Sequence, residues 1–187
     1  MAIIALIAVS LFPMNEKIMY AITVPESSEY AAKISTPQTT GGDEENYHDI
    51  ASVFVSAFVE AIERYDYAIL QYDMLFINKN ATDVIYNKYN DSLRIENPNS
   101  PVLKFKNNAK RVIEIRDVKI ISTSSAKVKF NAAIQREVGV LDDKSEWEAD
   151  VEFSMDKINT NAENGAPFAF TVTSYKPKLI KNNNVTK

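Results

Sequence analysis

The 187-residue sequence predicts an α+β domain: a long N-terminal helix packed on a curved antiparallel sheet, the two layers closing into a cone. Three observations predict it. An apolar stripe of helical period runs through residues 43–76 with no Gly or Pro in it. Strict apolar–polar alternation appears in several segments beyond residue 110. Helices come first and strands follow, the order that places helices on one face of a meander sheet.

The stripe consists of Tyr47, Ile50, Phe54, Ala57, Phe58, Ala61, Tyr65, Ile69, Tyr72 and Phe76, at steady three-and-four spacing. Asp43 is placed to cap the helix, and Glu44 and Glu45 suit its positive first turn. Glu60, Glu63, Arg64 and Asp73 fall mostly on the opposite side. The reading is a helix of up to roughly 30 residues, bent near Asp66. A second helix is expected over 82–93. Residues 97–101 (NPNSP) form a turn by composition, and 102–108 a short helix or loop.

The remainder reads as strands over 112–121, 127–138 and 146–155, with a last one from Phe168 to about Lys176-Pro177. In the second, Val128, Phe130, Ala132 and Ile134 face inward. In the third, Trp147, Ala149, Val151, Phe153 and Met155 do so, and in the last Phe168, Phe170 and Val172. Even-numbered and odd-numbered inward sets must meet in an antiparallel pair whose residue numbers sum to an odd value. That register sets the lysines of one strand beside Glu146, Glu148, Asp150 and Glu152 of its neighbour.

Residues 2–14 carry no charge. As a helix they would span about 20 Å, short of the roughly 30 Å of a bilayer core. Two readings stand: the outer end of a membrane anchor that begins beyond this sequence, or the apolar core of a secretory signal. No Lys or Arg precedes the run and Leu11, Phe12 and Met14 are bulky, which favours the anchor. The expected organisation is a partial transmembrane anchor over 1–14 and an extended lead and linker over 15–42. An α+β domain follows over 43–177, then a polar, frayed tail over 178–187.

Net charge is −4, so no broad basic field exists and nucleic acid is not the expected partner. The chain has no cysteine, which excludes disulfide frameworks, thiolate metal sites and cysteine nucleophiles. There is no Gly-rich phosphate loop and no metalloprotease or serine-hydrolase motif. The single histidine, His48, reads as a solvated helix residue. The group Glu60, Glu63, Arg64 and Asp66 admits a catalytic reading, but an exposed face of neighbouring opposite charges is the commoner arrangement. Tyr65, Tyr67, Tyr72, Tyr86 and Tyr89 either line a cavity in the cone or fill it. The acidic strand face is read as solvated and opposite lysines. No catalytic, metal-ligating or cofactor-binding residue is assigned.

Three stretches together resemble a known family. Residues 2–24 are similar to its anchor and short β lead. Residues 58–73 (FVEAIERYDYAILQYD) resemble its first periplasmic helix, which tends to show Arg-Glu-x-Tyr; Glu63 and Tyr65 match and Ile62 stands where the Arg would be. Residues 166–175 (APFAFTVTSY) resemble its turn and strand, Asn-Pro-x-Gly-Phe-x-Val-x-x-Tyr. Pro167, Phe170, Val172 and Tyr175 match, whereas Ala166 replaces the Asn and Ala169 the Gly. The family is the bitopic inner-membrane scaffold of bacterial type IV secretion systems, the eighth component of the VirB operon type.

The resemblance implies a cone of the nuclear-transport-factor-two-like class, in the periplasm, on a single-pass inner-membrane protein. It implies no reaction and no cofactor. It implies a homodimer that also contacts other secretion subunits, with Glu63, Tyr65, Ala166, Pro167, Ala169, Phe170 and Tyr175 as interaction residues. The altered turn suits a divergent second copy. Two other readings remain open: a small cone-fold enzyme of the isomerase or dehydratase type, using Asp66 or Asp73 with helix-layer tyrosines, or a periplasmic ligand-binding protein. An open, ionisable chamber would favour the enzyme and a filled cone the scaffold.

Overall fold

The structure, a computed structural model, describes residues 43–137, 140–157 and 168–182. The expected anchor, lead and linker lie outside these residues, as do Ala166 and Pro167.

Helix α1 (Asp43–Glu63) buries one face on the sheet. Ala51, Val55, Phe58, Val59 and Ala61 are buried along it. Tyr47 at its start donates from its hydroxyl to the Thr123 carbonyl at 2.7 Å, fixing this end over the first hairpin of the sheet. The buried face is rotated from the expected stripe: Ala57 is exposed, while Val55 and Val59 are fully covered. The continuous helix to Phe76 is not formed. The chain leaves helical geometry after Glu63 and resumes as α2 (Leu70–Asn80). The interruption falls at the expected bend; beyond it Tyr72 of the stripe is exposed, while Phe76 still packs against the core.

Helix α3 (Asp83–Leu93) buries Ile85, Tyr89 and Leu93. Its entry is fixed by the Thr82 N–H, which donates to the Val172 carbonyl of the sheet at 3.0 Å. The turn after it ends at the buried Ser100. This hydroxyl donates to the Leu93 carbonyl at 2.8 Å and accepts from the Val102 N–H at 3.2 Å. One side chain thus satisfies the end of α3 and caps α4 (Pro101–Phe105), whose first position is a proline.

The sheet is a meander in the order β1 (Lys110–Ser122), β2 (Ser125–Glu137), β3 (Val140–Lys157), β4 (Phe168–Asn182), all neighbours antiparallel. The odd-sum register between β2 and β3 is observed over most of its length: Val128 faces Ala149, Phe130 faces Trp147, and Lys127 faces Asp150. The lysine and acidic faces meet as expected, with Lys127 Nζ 2.9 Å from both Glu148 and Asp150. On the other face Ala126, Val128, Phe130, Ala149, Val151, Phe153, Phe170 and Val172 are buried beneath the helices. Burying a side chain the size of Phe58 or Phe130 contributes roughly 2–3 kcal/mol, so this layer contact is the main source of stability. Two strands are longer than the sequence suggested. β3 starts at Val140, and β4 continues to Asn182, so residues 178–182 are strand rather than frayed tail.

Candidate functional site

The site forms where α1 ends. Helical bonding stops with the Arg64 N–H on the Glu60 carbonyl. Tyr65 then pairs with Arg111 at the start of β1, as an antiparallel bridge with two backbone bonds of 3.0 and 2.8 Å. This bridge ends the helix, because residue 65 exchanges its helical bonds for bonds to a strand.

Arg111 is the side chain that organises what surrounds the bridge. Its Nη1 donates to Glu63 Oε2 at 2.5 Å and also to the Glu63 backbone carbonyl. Its guanidinium lies 5.6 Å from the centre of the Trp147 ring. The other oxygen of the carboxylate, Oε1, accepts from the Tyr175 hydroxyl at 2.9 Å. Glu63 is 12% exposed and Arg111 23%, so the pair is shielded enough to be stronger than a surface pair. Burial, then the Glu63 charge and the bond to it, push the Tyr175 hydroxyl far above its ordinary range. The Tyr175 ring meets Phe58 edge-on at 6.1 Å.

Tyr175 reaches Glu63 because β4 carries a bulge. Val172 faces Phe153, but Ser174 faces Glu152, leaving Thr173 unpaired. One extra residue switches which parity points inward. Phe170 and Val172 face the helices before the bulge, and Tyr175 does so after it.

The other carboxylates near the break are also held. Arg64 forks onto Asp73 with Nε at 2.8 Å from Oδ2 and Nη2 on Oδ1, and donates to Glu60 at 3.0 Å. Asp73 is 2% exposed. Asp66 accepts from Lys110 Nζ at 2.7 Å and from the Ala68 N–H at 3.0 Å. Partial burial works to raise the Asp66 carboxyl, but the Lys110 bond and the Ala68 N–H outweigh it, and the group titrates below its ordinary value. The group Glu60, Glu63, Arg64 and Asp66 is therefore not a solvated helix face. Each member pairs with a residue from its own turn, from α2 or from β1.

Of the residues expected to form the interaction surface, Glu63, Tyr65 and Tyr175 are brought together. Phe170 and Ala169 are elsewhere, five and six residues back along β4, about 16 Å or more away at the usual rise. Phe170 is buried, stacked on Phe54 at 5.3 Å and tilted against Phe153 at 5.5 Å, so it belongs to the core. Ala169 is exposed on the strand. Arg111 was not singled out from the sequence, although its odd number matches Ile113 and Ile115, which pack inward from the same strand.

Chemically this is a set of closed pairs. Glu63 has both oxygens engaged, Asp73 is clamped by Arg64, and Tyr175 is held protonated. Such groups fix three elements relative to one another. His48 is exposed. Among the described residues no cluster of three or more His, Cys, Asp or Glu side chains is poised around a metal ion.

A family model described as VirB8 protein matches residues 1–177. The chain belongs to the VirB8 family. It is a component of a type IV secretion system, as the resemblance of residues 58–73 and 166–175 implied. Solved structures carry the same fold. Agrobacterium tumefaciens VirB8 is 18% identical, with a TM-score of 0.62 over 80% of this chain and 100% of that one. A TrwG type IV secretion component from Bartonella birtlesii is 18% identical, with a TM-score of 0.60 over 72% and 94%. A TraE protein in complex with 2-(2-furyl)isonicotinic acid is 20% identical, with a TM-score of 0.60 over 76% and 100%. At these identities the structures establish the fold, the expected α+β cone. No protein with a curated description matches this VirB8-family chain. Among the described residues no helix is long and apolar enough to cross a membrane.

Proposed function

We propose that the chain is a non-catalytic scaffold of the secretion channel, held in the inner membrane by residues 1–14 with its α+β domain in the periplasm. It acts by associating with itself and by contacting other channel subunits. The observation that carries this reading is the state of the inward-facing ionisable groups. Glu63 and Asp73 are committed to Arg111 and Arg64, and aromatic side chains of α1 and three strands fill the space between helix and sheet. An isomerase or dehydratase needs a carboxylate free to take a proton, and Asp66 and Asp73 are both held by cations.

We assign self-association to the stretch of sequence that holds Ala166, Pro167 and Ala169. Glu63 and Tyr175 set the middle of β4 against α1. Ala at 166 and 169 supplies neither an Asn cap nor easy positive φ, so the association is weaker than an Asn-Pro-x-Gly turn would give.

The experiment is sedimentation of the full chain in detergent, with affinity co-purification from cells that carry the secretion system. A concentration-dependent dimer is expected, tightened by Ala166→Asn with Ala169→Gly, together with recovery of other channel subunits. A chain that stays monomeric at every concentration and brings down no channel subunit overturns the proposal.

A further inference from the structure

Among the described residues two non-glycine residues hold positive φ, Lys106 at 51° and Asp143 at 49°. Lys106 lines an open groove. Leu103, Lys104, Phe105, Lys106 and Arg136 line it, around a volume of about 400 Å³. Asp143 reaches it through Arg136, whose guanidinium donates to Asp142 at 3.1 Å and to Asp143 at 3.2 Å.

Backbone strain concentrates where a fold holds a ligand or a partner. Lys106, with ψ −125°, sits in a region that glycine occupies freely and a β-carbon resists. Glycine would relieve the strain; this sequence places an ammonium there instead. The turn is held by the Tyr65 hydroxyl, which donates to the Lys106 carbonyl at 2.8 Å, and by the Lys106 N–H on the Val102 carbonyl at 3.2 Å.

The groove is an electropositive exception on a chain of net charge −4. None of its lining residues is a carboxylate. Lys104 is bonded to the neutral Asn99 side chain at 3.1 Å, and Lys106 has no ion-pair partner among the described residues. Arg136 shows that the rim accepts paired carboxylates, since it already holds two from the neighbouring hairpin. Leu103 is exposed and Phe105 half-buried, so an apolar floor lies between the cations. Neither free sheet edge offers an equal alternative, because β1 and β4 are both broken by bulges and β4 carries Pro177.

We infer that this groove docks an acidic, partly apolar segment of a partner protein, with carboxylates on Lys104 and Lys106 and an apolar side chain against Leu103 and Phe105. Tyr65 is a positioning residue for it, acting through the Lys106 carbonyl. The inference rests on the scaffold reading for the partner being a protein, and is independent of self-association.

The test uses the full chain in detergent and a fluorescent synthetic peptide of glutamates around one phenylalanine, beside the same peptide with glutamine at every glutamate. The glutamate peptide is expected to bind, and the glutamine peptide about tenfold or more weakly. Lys104→Gln with Lys106→Gly should lower glutamate-peptide affinity about tenfold, and Tyr65→Phe should lower it as well. Lys106→Gly alone should melt no lower than the parent, which separates lost docking from lost folding. Lys129→Gln, on the outer sheet face, should leave binding unchanged. The inference is overturned if the glutamate peptide does not bind, if both peptides bind alike, or if Lys129→Gln weakens binding equally. It is also overturned if inorganic phosphate, anionic phospholipid vesicles or an unlabelled second copy of the chain occupies the groove with the same Lys104 and Lys106 dependence. Dimer formation measured on the same variants distinguishes failure here from failure of the scaffold reading.

Discussion

Glu63 joins three parts of the molecule that are distant in sequence: the end of α1, the start of β1 and the middle of β4. Its two oxygens do different work. Oε2 faces a guanidinium and Oε1 a hydroxyl, so removing each partner should cost differently. Arg111→Ala leaves a mostly buried carboxylate without its counter-charge, at a cost on the order of 3 kcal/mol. Tyr175→Phe removes one hydrogen bond and keeps the ring, at about 1 kcal/mol. If the Arg111 penalty is the stranded charge, it should shrink by about 1 kcal/mol or more in a Glu63→Gln background. Urea unfolding of the four variants measures this. Equal losses from Arg111→Ala in both backgrounds would show that the guanidinium acts through its stacking on Trp147. Glu63 and Tyr175 were found by resemblance, since nothing in local spacing links residues 112 positions apart. Arg111 was legible by parity alone, but a cation at the head of a strand reads as a flank unless its inward neighbours are weighed.

The elements most readable from the sequence are those with one uninterrupted period. β2 and β3 alternate cleanly, and their register followed from the parity of two apolar sets. What alternation could not express is a change of phase within a strand. The unpaired Thr173 shifts the inward set of β4 from even to odd numbers, so a strand ending at Pro177 looked complete while its second half was already in the other phase. The helix break has the same character. Apolar spacing continues through Tyr65 and Ile69, yet the Tyr65–Arg111 bridge and an Asp66 turn end α1 first. The weight of that turn can be separated from its charge. Asp66→Ala loses both the Ala68 N–H bond and the Lys110 pair and should cost about 1–2 kcal/mol. Asp66→Asn keeps the turn, and Lys110→Ala keeps turn and carboxylate; each should cost a few tenths to 1 kcal/mol. If Asp66→Ala is no worse than Lys110→Ala in denaturant midpoint, the bridge to β1 alone terminates the helix.

At the scale of the whole molecule, tyrosine protonation ties the two layers together. Burial is the main cause that raises Tyr47, Tyr65, Tyr89 and Tyr175 above their ordinary 10.0. Tyr175 and Tyr89 are raised most, Tyr175 with the charge of Glu63 adding to burial and Tyr89 with that of Asp73. In the unfolded chain these hydroxyls ionise near pH 10, while the folded chain keeps its protons. Stability from a raised group is complete below the unfolded value and drains away as pH climbs toward the folded one. The unfolding free energy from denaturant titration should therefore be flat through neutral pH and fall above about pH 10, by roughly 1.4 kcal/mol per pH unit for each tyrosine still protonated in the fold. Tyr175→Phe starts from a lower stability at neutral pH, but should descend less steeply by that same amount per unit. A Tyr175→Phe variant that loses stability in alkali as steeply as the parent would mean that Tyr175 ionises freely. In that case the Glu63 contact would not hold α1 to β4 in solution.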